Sequence, residues 1–230
     1  MSGTTRHPTV PGDYASLRSE APQLFVLAAM WLAAALAWPA APESVPVHWG
    51  LDGQVDRFGS RVEGVLLMPG LATVLYLLLL LIPLVDPRHR HYSTFRCAYA
   101  ILRGGILAVL ALVYAMVLLA TFGVAVDVAL VVPAAVGALL VILGLVMPRL
   151  RSNWFAGVRT PWTLTSERSW QATHDHARWV FVLGGIGIAA SGVLRSSVLL
   201  AVAFGVFGLG TAWLVVYSYL VWRRDPDRGE

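Results

Sequence analysis

The chain has 230 residues, of which 57% are hydrophobic and 13% charged, and its formal net charge is +4. Soluble domains carry about 25% charged residues, so this composition excludes an ordinary soluble domain and indicates a bundle of membrane helices. All 17 basic side chains are arginines that stand between apolar runs, which argues against a continuous nucleic-acid-binding patch. The single cysteine, Cys97, excludes an internal disulfide and a cysteine-rich zinc site.

Six apolar segments follow a polar start. Each is predicted to cross the membrane as an α-helix, because about 20 helical residues span roughly 30 Å of hydrocarbon. The segments are about residues 22–40, 64–85, 97–123, 127–147, 178–194 and 197–222. The predicted fold class is therefore all-α, a polytopic integral membrane protein with six transmembrane helices. Residues 1–21 are polar and lack apolar periodicity, which predicts a disordered cytoplasmic tail.

The first apolar segment has a second interpretation. Arg18 precedes it, and Ala35-Leu36-Ala37 has the form of an A-x-A cleavage site, so a secretory signal peptide is the alternative. Trp31 and Trp38 suit interfacial anchoring, and five further segments follow. Both observations favour a retained transmembrane helix.

The arginines orient the helices by the positive-inside rule. With the amino terminus inside, thirteen arginines fall on cytoplasmic segments and three on outer loops, so both termini are predicted to be cytoplasmic. We divide the chain into an amino-terminal two-helix module at 22–85, a four-helix module at 86–222 and a short cytoplasmic tail at 223–230. Arg103, one turn into the third span, is expected to snorkel to the headgroups. Asp127 is expected at a helix end.

Glycines recur in the last two spans, which are joined by a tight turn. Small residues let membrane helices approach closely, so these two spans are predicted to pack together as a helical hairpin. This interpretation is favoured over a pore.

The loop between the first two spans, residues 46–61, carries the pattern P-x-H-W-x-x-x-G-x-x-D-x-x-G-x-R and is predicted to be extracytoplasmic. Its candidate ligand-binding residues are His48, Trp49, Asp52, Gly53, Asp56 and Arg61. One histidine and two carboxylates (His48, Asp52 and Asp56) suit a metal site, a general acid–base set or hydrogen-bonded turns, and no strong ligand spacing favours the metal. Asp56 is also expected to pair with Arg57 or Arg61.

The long loop between the fourth and fifth spans, residues 148–173, is predicted to be cytoplasmic and reads N-W-F-A-G-V-R-T-P-W-T-L-T-S-E-R-S-W at 153–170. Its candidate partner-binding residues, with the histidine that follows, are Asn153, Gly157, Arg159, Thr160, Pro161, Trp162, Trp170 and His174. Pro161 pushes Thr160 out of helical conformation and fixes a turn. The Arg159 guanidinium, held on that turn between Trp154 and Trp162, suits a carboxylate, a phosphate or an aromatic face of a partner, or lipid phosphates.

A helix is expected to begin near the end of this loop, capped by Thr165 or Ser166, and to continue into the fifth span. Positions two apart on a helix point about 200° apart, so His174 and His176 are predicted to diverge rather than to share a metal.

Residues four apart share a helix face, which places Trp170, His174 and Arg178 together. A metal-binding cluster that adds His89 and His91 from the preceding cytoplasmic loop is the alternative for these histidines.

The two loop patterns together resemble the SdpI family of bacterial immunity membrane proteins and the amino-terminal module that accompanies it. The second pattern is similar to the family signature N-x-W-x-G-I-R-T-P-W-T-L-x-S-x-x-x-W-x-x-T-H. The chain matches it at Asn153, Gly157, Arg159, Thr160, Pro161, Trp162, Thr163, Leu164, Ser166, Trp170, Thr173 and His174. Arg61 stands where the first pattern usually has lysine, and the spacing of Asn153, Trp154 and Phe155 follows the family only loosely.

The resemblance covers about residues 22–222 and implies a multi-pass protein of the bacterial cytoplasmic membrane. It implies immunity to, or sensing of, a secreted antimicrobial or toxic peptide, and signalling by holding a repressor at the membrane. The implied partners are the lipid bilayer, an extracellular toxic peptide and a cytoplasmic repressor or other protein, without direct nucleic acid binding.

Two further function classes stay open at this stage. One is a small transporter or lipid-handling protein, in which Arg103 and Arg159 meet an anionic substrate; the other is a membrane metalloenzyme that uses His48 or His174. The sequence contains no P-loop, G-x-S-x-G, H-E-x-x-H or Rossmann pattern. We therefore predict no enzymatic activity and no cofactor.

Overall fold

The structure, a computed structural model, describes residues 15, 17–50 and 53–228 of the chain. Within them it is mostly helical, and six helices are long and apolar enough to span a membrane. These are α1 (Leu17–Ala37), α2 (Arg61–Val85), α3 (Arg96–Thr121), α4 (Val128–Val146), α6 (Glu167–Val193) and α7 (Ser197–Arg223). A short helix, α5 (Pro161–Thr165), precedes α6, and two strands, β1 (Ser44–Trp49) and β2 (Val55–Ser60), connect α1 to α2. The predicted six-helix membrane fold is confirmed.

Two helices begin earlier than the apolar pattern predicts. α1 starts at Leu17, so the end of the predicted disordered tail is helical, while residues 1–14 lie outside the described residues. α6 starts at Glu167, well before its apolar part, because the Ser166 hydroxyl accepts a hydrogen bond from the Ser169 N–H at 2.9 Å. The expected cap and the continuation of this helix into the fifth span are confirmed.

The loop between α1 and α2 is an antiparallel β-hairpin, which the sequence analysis did not predict. Its base is fixed to the helices: Val45 is fully buried, and a Cβ at Gly64 of α2 would clash with the Val45 side chain. The Ser60 hydroxyl caps α2 by accepting from the Glu63 N–H at 3.2 Å, and Arg57 forms an ion pair with Glu63 at 2.8 Å. The hairpin is therefore a rigid extension of α2.

Glycines bring α4 and α6 into close contact. A Cβ at Gly185 would lie 2.5 Å from the Gly137 carbonyl oxygen, and a Cβ at Gly144 would lie 2.8 Å from the Arg178 carbonyl oxygen. Only glycine permits backbones to approach this closely, so these residues determine the pairing of the two helices.

The helices α6 and α7 also pack together, but only some of their glycines are used. A Cβ at Gly184 would contact Phe207 at 2.6 Å and a Cβ at Gly210 would contact Val180 at 2.7 Å, whereas Gly205 and Gly208 have nothing within 4 Å. The predicted helical hairpin forms, but it is the smaller part of the glycine-mediated packing.

The buried side chains form two clusters at different positions in the bundle. One joins α1, α2 and α3 through residues such as Leu27, Ala72 and Leu107. The other, which includes Tyr92 and Trp170, lies at the end of the bundle where the 148–173 loop folds back. That second cluster provides the support for the candidate site described next.

Candidate functional site

The two sequence motifs lie at opposite ends of the bundle, because successive spanning helices run antiparallel. The β-hairpin (residues 44–60) joins α1 to α2 at one end. The signature loop (residues 150–166) joins α4 to α6 at the other end, where it contacts the α2–α3 connection, residues 86–95. The two motifs therefore present separate surfaces rather than one composite site.

Asn153 holds the first turn of the signature loop together from inside. Its side chain is fully buried, and its Oδ1 accepts from the N–H groups of Phe155 and Ala156 at 2.9 and 2.7 Å. Its Nδ2 donates to the carbonyl oxygens of Arg151 and Ala156 at 2.8 and 3.0 Å. These four bonds go to backbone and a longer one, 3.4 Å from the Tyr92 hydroxyl, goes to Oδ1, so the Asn153 side chain stabilises the turn from within.

Asp86 fixes this turn to the α2–α3 connection. Its buried carboxylate accepts from the Trp154 N–H at 3.0 Å and from the Tyr92 hydroxyl at 2.9 Å. Burial, together with the hydrogen bond to Asp86, raises the pKa of Tyr92 above its ordinary value, so this hydroxyl stays a donor. Arg88 adds a second tie by donating to Ser152 and to the Leu164 carbonyl oxygen.

Asp86, Arg88 and Tyr92 were not among the site residues predicted from the sequence. Asp86 is the one carboxylate in a short basic stretch, at the end of an apolar span. An isolated acidic residue among basic ones was the feature of the sequence that could have indicated a role for Asp86.

The Arg-Thr-Pro-Trp turn has the predicted geometry. Thr160 is extended, at φ −108° and ψ 162°, and Pro161 occupies the first turn of α5. Thr160 and Thr163 form a reciprocal capping box, and the Thr160 hydroxyl lies 3.0 Å from that of Ser218 in α7. The turn is therefore fixed both locally and against α7.

His174 is a fully buried support for the loop. Its Nε2 accepts from the Val158 N–H at 3.0 Å, so Nδ1 carries the proton and donates to the Trp170 carbonyl oxygen at 2.7 Å. The ring stacks on Trp170 at a centroid distance of 4.1 Å. Both ring nitrogens are thus engaged, which leaves His174 without a free lone pair for a metal ion.

Gly157 is required by this arrangement. Its φ is +106°, and a Cβ there would clash with Nε2 of His174. Trp170 closes the other side by donating from Nε1 to the Leu150 carbonyl oxygen at 2.9 Å. The motif residues Gly157, Trp170 and His174 therefore form one buried unit.

The predicted divergence of His174 and His176 is confirmed, since His176 is exposed and stacks on Tyr217 at 4.1 Å. The alternative four-histidine cluster does not form. His91 donates to the Ser152 carbonyl oxygen at 2.6 Å, and His174 is enclosed as described. In the described part of the chain, no group of three metal-ligating side chains is positioned to hold a metal ion.

Arg159, Trp154 and Phe155 form one exposed part of the signature loop, and the two aromatic residues are 48% and 40% exposed. Arg159 donates from Nη1 to the Trp154 carbonyl oxygen at 2.9 Å, which holds the guanidinium beside the two rings. Of the two tryptophans that were predicted to flank Arg159, Trp154 is thus hydrogen-bonded to it. Trp162 instead packs on Tyr219 of α7 at 5.2 Å.

At the other end of the bundle, His48 and Asp56 form an exposed pair on the hairpin, with Nδ1 of His48 donating to Oδ1 of Asp56 at 2.6 Å. The predicted pairing of Asp56 with Arg57 or Arg61 is wrong. Arg57 binds Glu63, and Arg61 lies over Trp38 at 5.7 Å, because both arginines turn towards the helix ends.

The other hairpin candidates have structural positions or lie outside the description. Trp49 ends β1 opposite Val55, and Gly53 in the turn has a φ of +79° that favours glycine. Asp52 lies outside the described residues, so the metal alternative that uses it stays a prediction.

Arg103 does not snorkel, contrary to the prediction. It is fully buried, and its Nη2 lies 2.6 Å from Oε1 of Glu20 in α1. Tyr76 of α2 donates to the other carboxylate oxygen of Glu20 at 3.0 Å. The arginine stays inside because Glu20 supplies an opposite charge within the bundle, although Nε and Nη1 of Arg103 are buried without a hydrogen-bond partner among the described residues.

Comparison with known proteins agrees with the sequence resemblance. Residues 149–218 match the SdpI/YfhL protein family, and residues 25–73 match a domain of unknown function, DUF1648. The chain is 24% identical over 180 residues to Immunity protein SdpI of Bacillus subtilis (strain 168). The aligned region is 77% of this chain and 84% of that protein. It is 39% identical over 59 residues to an uncharacterized protein of Archaeoglobus fulgidus, covering 26% and 32% of the two chains. No solved structure matches the chain.

These matches confirm the predicted resemblance to the SdpI family. With the six spanning helices, they establish an SdpI-like, multi-pass bacterial membrane protein. The roles of the individual motif residues stay predictions.

Proposed function

We propose that this SdpI-like membrane protein gives its cell immunity to a secreted toxic peptide, and that the β-hairpin is the surface that meets the peptide. The observation that carries the proposal is the similarity to Immunity protein SdpI, which extends over most of both chains.

The hairpin suits this role because it combines exposed polar groups with a rigid base. The side chains of His48 and Asp56 are 62% and 51% exposed, and they are already oriented by their mutual hydrogen bond. A preorganised pair loses little conformational entropy when a peptide binds. The positive-inside prediction places this end of the bundle outside the cell, where a secreted peptide arrives.

The signature loop suits a supporting and signalling role on the cytoplasmic side. Asn153, Gly157 and His174 make contacts within the protein. Arg159, Trp154 and Phe155 are exposed and form one patch. Arginine and tryptophan are typical anchors of protein–protein interfaces. A repressor or another cytoplasmic protein that docks here would be held at the membrane.

The transporter alternative is less favoured at one of its two arginines. Its anionic substrate was expected to meet Arg103, but Glu20 already neutralises that charge.

Expression in Bacillus subtilis cells that lack their own SdpI tests the proposal. Cells that carry this chain should survive challenge with a toxic peptide to which the SdpI-deficient cells are sensitive, at concentrations that kill cells with an empty vector. Equal killing of both, with the protein shown to be present in the membrane, would remove the basis for an immunity function.

A further inference from the structure

A second surface at the signature-loop end has no role in the function proposed above. It is a cleft of about 630 Å³ where α3 begins and α4 ends. Its lining residues are Ser93, Thr94, Phe95, Arg96, Cys97, Ala98, Pro148, Arg149 and Arg151. We call it the arginine cleft.

Three arginines of the cleft, Arg96, Arg149 and Arg151, are exposed and have no carboxylate within ion-pair distance in the described part of the chain. No acidic residue lines the cleft. Arg151 makes one long bond, 3.4 Å from Nη1 to Oε1 of Gln171. The cleft therefore concentrates positive charge that the described residues do not neutralise.

Three arginines elsewhere in the described part of the chain do have a carboxylate partner. Arg57 is paired with Glu63 and Arg103 with Glu20, and Arg195 binds Asp127 near the opposite end of the bundle. Unneutralised arginines gathered in a concave site are suited to an anion, and planar guanidinium groups match phosphate oxygens in a bidentate manner.

The walls of the cleft lead directly into the membrane-spanning helices. α3 and α4 are in contact below it, since a Cβ at Gly105 would lie 3.0 Å from Leu139. Large apolar side chains are exposed on the same two helices, Ile101 at 45% and Leu145 at 50%. A phosphate in the cleft would thus lie at the depth of the headgroups, with apolar helix surface beside its acyl chains.

We propose that the arginine cleft binds the phosphate group of an anionic phospholipid at the cytoplasmic interface of the membrane. Arg96 and Arg149, from the two helix ends, and Arg151, from the following loop, grip the phosphate. The site is independent of the hairpin and of the exposed patch around Arg159.

Cys97 provides a direct reporter, because it is the single cysteine of the chain, is exposed and lines the cleft. The rate of its alkylation by N-ethylmaleimide is measured for the full chain in nanodiscs. One set contains phosphatidylcholine alone, and the other an equal mixture of phosphatidylcholine and phosphatidylglycerol. The mixture is expected to slow alkylation several-fold.

Replacement of Arg96, Arg149 and Arg151 by glutamine should abolish this protection, because it removes the charge-assisted bonds to phosphate. A matched control replaces Arg90, Arg223 and Arg224, three exposed arginines at the same end outside the cleft, and should keep it. The single variant R149Q, which should reduce the several-fold protection to less than about twofold because one charge-assisted bond to phosphate is lost, serves if the triple variant does not fold.

Three outcomes overturn the proposal. If both triple variants lose protection equally, the lipid effect is general surface charge and not this cleft. If inorganic phosphate slows alkylation in detergent as strongly as the lipid does in nanodiscs, the site binds a soluble phosphate instead of a phospholipid. Equal alkylation rates in the two nanodiscs would also contradict it.

Discussion

Arg103 of α3 and Glu20 of α1 form a buried ion pair, with 2.6 Å between Nη2 and Oε1. The pair joins the first helix to the third across the apolar bundle, and Tyr76 connects it to the second. Loss of one partner leaves an uncompensated charge in a low-dielectric environment, which costs far more than the net contribution of the pair.

We therefore expect Arg103→Met or Glu20→Gln to lower the free energy of unfolding by about 3–5 kcal/mol, measured by thermal or denaturant unfolding in a fixed detergent. The double variant should recover a large part of that loss. Arg195→Gln, which breaks the exposed pair with Asp127, is the control and should cost at most about 1 kcal/mol. Single variants as stable as the original chain would show that α1 is not held by this pair.

The contact between Gly157 and His174 gives a second prediction, because the imidazole of His174 leaves no space for a side chain at position 157. Gly157→Ala should destabilise the fold by more than the roughly 1–2 kcal/mol that a left-handed backbone costs an L-residue, since the new Cβ also clashes with the buried imidazole. Gly123→Ala is the matched control: its φ is +78°, but nothing lies within 4 Å, so only the backbone cost is expected.

His174→Ala removes the imidazole ring that would clash with the Cβ of Gly157→Ala. In this background Gly157→Ala should cost no more than Gly123→Ala, and a double-mutant cycle measures the difference. Strict additivity of the two substitutions would mean that the glycine and the histidine are not in contact.

The glycine contact between α4 and α6 predicts a position-dependent effect of alanine. Gly137→Ala and Gly185→Ala each force the two backbones apart and should lower the unfolding free energy by about 1–3 kcal/mol, as overpacking does. Gly205→Ala and Gly208→Ala, in α7 with open space around them, should be neutral or slightly stabilising because alanine favours the helix. The same loss at all four positions would mean that helix–helix contact is not the cause.

The orientation of the bundle follows from the arginine distribution and can be tested with the native cysteine. Cys97 lies at the end predicted to be cytoplasmic, so a membrane-impermeant maleimide should label it in inverted vesicles and leave it unlabelled in intact spheroplasts. In a Cys97→Ala background, a cysteine in place of the exposed Glu43 should show the reverse pattern. Labelling of Cys97 in intact spheroplasts would show that the bundle has the opposite orientation, with the signature loop outside the cell and the hairpin inside.

Features that depend on residues close together in the sequence were predicted, whereas contacts between distant residues were not. The six spans, the Ser166 cap and the extended Thr160 depend on hydropathy, capping or a proline nearby in the chain, and all were predicted. The partner of Arg103 was not, because Glu20 is 83 residues away and only the packing of α1 against α3 brings them together. The close packing of α4 against α6 was also not predicted, because it depends on contacts between residues far apart in the sequence.

The hairpin was missed for a different reason. Pro46, Gly50 and Gly59 made residues 46–61 resemble a series of turns, and the two strands have only six residues each. Their pairing is stabilised by the ends of the helices, through Val45 and Glu63, which no local pattern reveals. In the signature loop, four candidate partner-binding residues are buried, namely Asn153, Thr160, Trp170 and His174, and their burial depends on contacts with distant segments such as α7 that the local pattern does not reveal.

The most direct test of the immunity function compares hairpin variants for the toxic peptide concentration that kills half of the cells. The double variant His48→Ala, Asp56→Asn removes the exposed pair, whereas Glu43→Gln removes one nearby charge outside the strands. At equal membrane expression in cells without their own SdpI, the double variant should fall to the sensitivity of the empty vector and Glu43→Gln should protect as the original chain does. Full protection by the double variant would contradict the claim that the hairpin meets the peptide.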